Sequence, residues 1–398
     1  MVSVSEATRL IQEQTYRPTL DRIKIEEAEG RVLAEAIKAD RDFPPFDRVA
    51  MDGIAISYKA IEEGWEGFRV EGLQQAGQPR LTLKDNKNCI EVMTGAMLPI
   101  GCDTVVRYED VIVINEIAKL KVKTVELGQC VHPRAQDAKR GDVILSPGIR
   151  ISTSEVALLA ATGRLETDVY RYPKTAIVST GNELVDVHEK PLPHQIRRSN
   201  SYALRAAMHS LGCPADLFHL VDDRNVMERD LGKIFSGYEL VILSGGVSKG
   251  KFDFVPAVLE TLGVTIIFHQ VSQKPGKPML FGTTKKQIVF GLPGNPVSAF
   301  LCFYRYIRPW LLQTNGINSR PKSAMLAQDL ELKGDLTHFV QVRIQYEDGI
   351  CMATPSPGGG SGDFANLREV DGFLEIPAGH TNCKAGETYP FIEFRGAY

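Results

Sequence analysis

Five short runs of apolar, largely β-branched residues recur between positions 175 and 292: TAIVS at 175–179, ADLFHLV at 215–221, ELVILS at 239–244, VTIIFHQV at 264–271 and QIVFGL at 287–292. Continuous apolar runs of this length read as strands buried on both faces, here the strands of a mostly parallel sheet in a three-layer α/β domain. The stretches between them carry helical spacing. Ser199 and Asn200 are placed to cap a helix over 202–211, Asp222 or Asp223 one over 226–235, and Asp253 one over 254–262. Every polar motif of the region then follows a strand.

In open α/β sheets the ligand crevice lies beyond the carboxyl ends of the strands, so loops distant in sequence meet there. The first strand is followed by Thr180, Gly181, Asn182 and Glu183, and the second by Asp222 and Asp223. After the third comes SGGVSKGKFD, with Gly245, Gly246, Ser248, Lys249, Gly250, Lys251 and Asp253. Lys274, Pro275, Gly276, Lys277 and Pro278 follow the fourth, and Pro293, Gly294, Asn295, Pro296, Val297 and Ser298 follow the fifth. Lysines and glycine-loop N–H groups hold phosphate or another oxyanion, while carboxylates hold Mg²⁺ or a ligand's donors. Taken singly, each aspartate is equally a helix cap, each lysine a solvated charge and each proline a turn former. The convergence of five loops is what points to a site. Gly245, Gly250 and Lys251 have the spacing of a P-loop, but Phe252 stands where that motif needs a metal-binding hydroxyl.

TGNEL, SGGVSKGKFD, KPGKP and GLPGNPVSAF resemble the signature loops of the molybdopterin-binding domain in the molybdopterin molybdenumtransferases, the MoeA and gephyrin E-domain family. PFDRVAMDGIA at 45–55 and MTGAMLPIGCDTVVRYE at 93–109 resemble two N-terminal signatures of that family, and the match runs nearly end to end. The chain departs from the pattern at Val49, where relatives often carry serine, and at Gln341, where they often carry arginine. The second departure leaves the oxyanion site to be completed by another residue, such as Arg343.

The resemblance implies a molybdenum insertase with molybdate and adenylated molybdopterin as substrates, AMP as leaving group and Mg²⁺ as cofactor. It assigns catalysis to Asp253, Asp52, Glu183, Asp222 and Thr94, the metal to Asp253, Glu183 and Asp222, and the pterin substrate to Thr180, Gly181, Gly245, Gly246, Ser248, Gly250, Lys274, Gly276, Lys277, Pro293, Gly294, Asn295, Pro296 and Ser298. It also implies a homodimer whose active site is shared, with Asp52 and Thr94 presented to Asp253 of the partner subunit. Molybdopterin adenylyltransferase and molybdoenzyme apoproteins are the further partners it implies. Two other classes stay open: a gephyrin-like scaffold, and a phosphate-transfer enzyme of the adenylyltransferase type. The carboxylates and lysines of the crevice favour catalysis over a scaffold, and only the additional domains weigh against the adenylyltransferase.

Outside the central domain the pattern changes. Segments such as EGFRVEGL and LKVKTVEL, rich in glycine and short alternations, predict a β-rich domain over about 41–136. It is inserted in a stalk of about 20–40 and 137–168, in which helix-like stretches at 20–39 and 152–161 pack together. The expected division is an N-terminal region 1–170, an α/β domain 171–315 and a small C-terminal β-barrel 316–398.

Composition adds exclusions. With 398 residues, 43% hydrophobic and 24% charged, the chain reads as an ordinary multidomain globular protein. No run of eighteen apolar residues occurs, and MVSVSEATRLIQEQ reads as an amphipathic helix with a Ser3/Glu6 capping box, so a soluble cytoplasmic protein away from membranes is expected. Seven scattered cysteines without C-x-x-C, and eight histidines without H-x-x-x-H, predict neither a disulfide framework nor a side-chain cage for a transition metal. A net charge of −3 gives no basic stripe for nucleic acid, and Arg197 and Arg198 read as solvated surface.

Overall fold

Three strands, Thr175–Thr180, Leu240–Ser244 and Ile288–Leu292, are buried at every position, as continuous apolar runs between two helical layers must be. The computed structural model describes residues 1–14, 16, 18–247, 253–317, 321–356 and 358–395. Thr175–Thr180 pairs in parallel with Ala215–Leu220 on one side and Leu240–Ser244 on the other, and Leu240–Ser244 pairs in parallel with Ile288–Leu292.

The sheet is mostly parallel, as expected, and turns antiparallel beyond Ile288–Leu292. A strand missed in the sequence, Leu280–Thr283, pairs antiparallel with Ile288–Leu292, and Thr265–His269 pairs antiparallel with it at the sheet edge. Only four residues long, Leu280–Thr283 shows no period of its own. Two reversals return Thr265–His269 to the direction of the parallel strands, so the loop after it still leaves at their carboxyl rim.

One face of the sheet is covered by Arg224–Gly237 and Val255–Thr261, the first burying Met227, Leu231 and Ile234 at helical spacing. Asp223 caps Arg224–Gly237 by accepting from the Val226 N–H at 2.9 Å. Two other expected caps are corrected. Phe254, not Asp253, is the N-cap of Val255–Thr261, whose start is set by Pro256 in the first turn. Ser199 is the first residue of its helix, Ser199–His209, with Arg198 before it.

The opposite face carries Ser199–His209 and Pro296–Cys302, the latter continued through a π-helical turn, Phe303–Ile307, into Arg308–Thr314. The N-terminal helix Val4–Gln12 joins this layer, burying Val4, Ala7 and Ile11 in the same core as Ile177 and Trp310. Its capping box is half formed: Ser3 Oγ accepts from Glu6 N–H at 3.1 Å, while the Glu6 carboxylate pairs with Arg9.

The stretch at 20–39 is not helical. It folds as the strand Leu20–Lys24, one 3₁₀ turn at Ile25–Glu27 and the short strand Ile37–Lys38. Its partners lie more than a hundred residues away, Glu166–Tyr170 and Val143–Leu145, and these long-range ladders override the local helical spacing. The helix at Thr153–Ala161 does form, with Ser152 and Glu155 making a reciprocal capping box, and it packs with Leu33, Ile37 and Val169.

Between these segments lies a six-stranded sheet ordered Thr104–Arg107, Gly53–Ile56, Asn88–Val92, Gly67–Gln74, Ile117–Leu120, Val111–Ile114. At the C-terminal end, Thr337–Glu347 pairs with both Ile350–Pro355 and Gly372–Ile376, which closes a five-stranded barrel with Lys322–Leu326 and Thr388–Glu393. Asp348 and Gly349, at φ 48° and 81°, supply the tight hairpin turn that begins this closure. Among the described residues no helix is long and apolar enough to cross a membrane.

Candidate active site at the carboxyl rim

A crevice of about 570 Å³ opens beyond the carboxyl ends of the parallel strands. Five loops wall it: Thr180, Gly181 and Glu183 from the first, Asp222 from the second, Gly245, Gly246 and Asp253 from the third, Pro278 from the fourth, and Pro293 to Pro296 from the fifth. The three carboxylates expected to share one site therefore line one cavity.

The glycines shape it. Gly245 and Gly246 have φ of +99° and +66°, and a Cβ on Gly245 would lie 2.8 Å from the Thr180 carbonyl oxygen. A Cβ on Gly246 would meet Val255 Cγ2 at 2.8 Å and Thr180 Oγ1 at 2.9 Å. Backbone thus approaches backbone where side chains would intervene. Facing this pair, Thr180 Oγ1 is buried with no hydrogen-bond partner among the described residues, which leaves a hydroxyl suited to a ligand oxygen. Gly246→Ala should destabilise the fold by about 2 kcal/mol through backbone strain alone, measured by urea unfolding. An unchanged midpoint would contradict this steric reading.

Glu183 also depends on a glycine. A Cβ at Gly181, φ +140°, would fall 2.5 Å from Glu183 Oε2, so the carboxylate folds back over bare backbone. Asp222 and Asn182 clamp the first two loops together: Asn182 N–H donates to Asp222 Oδ2 at 3.1 Å and Asp222 N–H donates to Asn182 Oδ1 at 3.0 Å. One carboxylate oxygen of Asp222 is thereby committed to loop geometry.

Several contributors escape a reading of motifs. Asn200, expected as a helix cap, instead bridges the third and fifth loops, its Nδ2 donating to Ser244 Oγ at 2.9 Å and to the Gly294 carbonyl at 2.8 Å. Arg198 is mostly buried rather than solvated, pairing with Asp186, which also accepts from Tyr202 Oη at 3.0 Å. Arg197 is exposed and lines the crevice beside it. The barrel contributes as well: Asn295 Nδ2 donates to Ser361 Oγ at 2.8 Å, and Gly362 closes one wall. The glycine-rich run SPGGGSGD was the only sequence signal for that last contact.

Other expected residues stand elsewhere. Lys274 and Lys277 are exposed and do not line the described crevice; Lys274 and Gln273 pair in parallel with Thr337 and His338 of the barrel. Gly276, at φ +89°, packs against Gln273 and Cys302, and Ser298 is buried in its helix. These two hold the scaffold. Ser248, Lys249, Gly250 and Lys251 lie outside the described residues. Gln341 is buried on the barrel strand Thr337–Glu347, while Arg343 pairs with Glu369 at 2.9 Å and lines no part of the crevice.

Asp52 and Thr94 form their own pair on the surface of the inserted sheet domain. Thr94 N–H and Oγ1 both donate to Asp52 Oδ1 at 2.6 Å, and these bonds hold the Asp52 carboxyl below the usual carboxylate range. The following glycine is obligatory, since a Cβ on Gly53 would fall 2.0 Å from the Val106 carbonyl. Neither Asp52 nor Thr94 lines the crevice of its own chain. A carboxylate stabilised in the folded state favours folding above its ordinary pKa, and that benefit is lost as pH falls through the depressed value. Thr94→Val should raise the Asp52 pKa toward the ordinary value, read by carboxyl-carbon NMR titration, and an unmoved midpoint would contradict the assignment.

With the geometry in place, comparison with known proteins is specific. The profile of the MoeA N-terminal region (domain I and II) matches residues 2–163, that of a probable molybdopterin binding domain residues 176–313, and that of the MoeA C-terminal region (domain IV) residues 323–394. A molybdopterin molybdenumtransferase of Synechocystis sp. is 40% identical over 396 residues, 98% of this chain and 99% of that protein. Its counterpart in Bacillus subtilis is 30% identical over 99% of this chain and 94% of its own length. The crystal structure of a molybdopterin biosynthesis moea protein from Pyrococcus horikosii superposes with a TM-score of 0.83 at 30% identity and full coverage of both chains.

Proposed function

The chain belongs to the molybdopterin molybdenumtransferase family, and on that premise we propose that it transfers molybdenum from molybdate into adenylated molybdopterin, cleaving the adenylate and releasing AMP. The observation that carries this reading is the single crevice in which Glu183, Asp222 and Asp253 face a glycine pair backed by the buried Thr180 hydroxyl. The Gly245–Gly246 backbone and Thr180 bind the phosphate oxygens of the substrate, and Pro293–Pro296, braced by Asn200 and Ser361, fix the loop opposite.

The three carboxylates offer only oxygen donors, the set that Mg²⁺ takes, so they fit the cofactor the family implies. Bound there, Mg²⁺ would neutralise the charge that develops as the phosphoanhydride breaks. Asp253 would hold it with Glu183 and Asp222 nearby, one Asp222 oxygen also accepting from the Asn182 N–H.

Asp52 and Thr94 complete the site from a second copy of the chain in a homodimer. Their exposed pair is preorganised, yet belongs to another domain and lines no part of its own crevice. Seven free cysteines, five of them buried, suit a reducing cytoplasm. Molybdopterin adenylyltransferase would supply the substrate, and molybdoenzyme apoproteins would take the product.

The test is incubation of the purified protein with adenylated molybdopterin, Mg²⁺ and either molybdate or none, following AMP by chromatography. AMP release that requires molybdate is the expected result. Tight pterin binding without AMP release would replace the insertase by a scaffold.

A further inference from the structure

On the C-terminal barrel, at residues that do not line the crevice, His380, Cys383 and Glu387 bring a ring nitrogen, a thiol sulfur and a carboxylate oxygen within 4.8 Å of one another. We propose that these three residues form a binding site for a divalent metal of the zinc type, separate from the oxygen-only crevice.

The local fold assembles the cluster by two tight turns on either side of a two-residue strand. His380 follows the turn closed by its own N–H to the Pro377 carbonyl at 3.2 Å, with Gly379 at φ +81°. Asn382–Cys383 then pairs with Leu330–Glu331. The second turn, with Gly386 at φ +90°, is closed by Glu387 N–H to the Lys384 carbonyl at 3.1 Å. Asp329 pins that second turn from outside, accepting from Ala385 N–H at 2.9 Å and from Lys384 Nζ at 2.8 Å.

The donors are held in orientation as well as in place. His380 Nε2 lies 3.4 Å from Glu387 Oε2, and the same oxygen accepts from Lys384 N–H at 3.1 Å and from the Tyr389 hydroxyl. All three contacts fall on Oε2, so the second carboxylate oxygen is the one a cation would take. The His380 ring stands edge-on to Tyr389, with centroids 5.7 Å apart. Such partners behind the ligands fix ring and carboxylate geometry in metal centres.

A tetrahedral zinc at about 2.1 Å from nitrogen and oxygen and about 2.3 Å from sulfur sets its ligands roughly 3.5 Å apart. Closing the observed cluster onto a metal therefore needs about 1 Å of movement, within reach of χ rotation at half-exposed His380 and Glu387. Cys383, only 1% exposed, is the fixed donor. The mixed N, S, O set with one open position suits Zn²⁺ or Co²⁺ and is a poor host for Mg²⁺. The spacing H-x-x-C-x-x-x-E explains why the templates H-x-x-x-H and C-x-x-C gave no sign of a side-chain cage.

Cobalt titration of the full-length protein, freed of metal by chelation, tests the site. One equivalent of Co²⁺ should produce a near-ultraviolet thiolate-to-cobalt charge-transfer band, and Zn²⁺ should displace it. His380→Ala, an exposed change that leaves the barrel core intact, should weaken Co²⁺ binding by about tenfold or more, and Cys383→Ser should abolish the band. Cys130→Ser and Cys351→Ser, at the two partly exposed cysteines elsewhere, should leave it unchanged. Absence of the band in the parent protein, or its survival in both His380→Ala and Cys383→Ser, would overturn the proposal.

Discussion

Asp253→Ala should lower molybdate-dependent AMP release by about 10²- to 10³-fold, the loss seen when one preorganised electrostatic partner of a transition state is removed. The expectation follows from the crevice. Glu183 is folded over Gly181, and Asp222 holds Asn182 through one of its oxygens. Asp253 enters at the end of the third loop, next to Phe254, the N-cap of Val255–Thr261, and lines the crevice. The loss should therefore appear in kcat, with the unfolding midpoint and the affinity for adenylated molybdopterin close to those of the parent. A variant that retains catalysis, or that fails only because it unfolds, would remove Asp253 from the reaction.

Asp52→Ala should be as inactive as Asp253→Ala, and mixing the two should restore activity. In a two-fold symmetric dimer that joins one crevice to the other copy's Asp52 and Thr94, each heterodimer of the two variants keeps one intact site, so about half the activity per dimer returns. Co-expression with two affinity tags isolates that heterodimer. Activity below a few per cent of wild type would mean that each crevice works without the second copy's Asp52. The geometry of one chain already separates these residues, because Asp52 and Thr94 are bonded to each other on the inserted sheet domain and line no part of the crevice.

What the sequence discloses and what it hides divide along physical lines. Thr175–Thr180, Leu240–Ser244 and Ile288–Leu292 are legible because strands buried on both faces admit nothing but apolar residues and small hydroxyls. Leu280–Thr283 is hidden because four residues show no period, and 20–39 misleads because its ladders are made with 143–145 and 166–170, outside any local window. The crevice is legible for the same reason as the strands: once these are placed, their carboxyl ends gather the loops. Asn200, Arg198 and Ser361 are not, since each acts through a contact that no local pattern encodes. Asn295 and Ser361 are 66 residues apart. Lys274 and Lys277 are legible as a motif, and the structure places them exposed and outside the lining of the described crevice.

The most direct test of the central claim is a crystal structure of the Asp253→Ala variant soaked with adenylated molybdopterin, since an inert crevice would hold the substrate uncleaved. Density for the intact adenylate is expected along Gly245 and Gly246, within reach of the Thr180 hydroxyl, with Asp52 of the partner subunit facing it. An empty crevice with the pterin bound on another surface would contradict it.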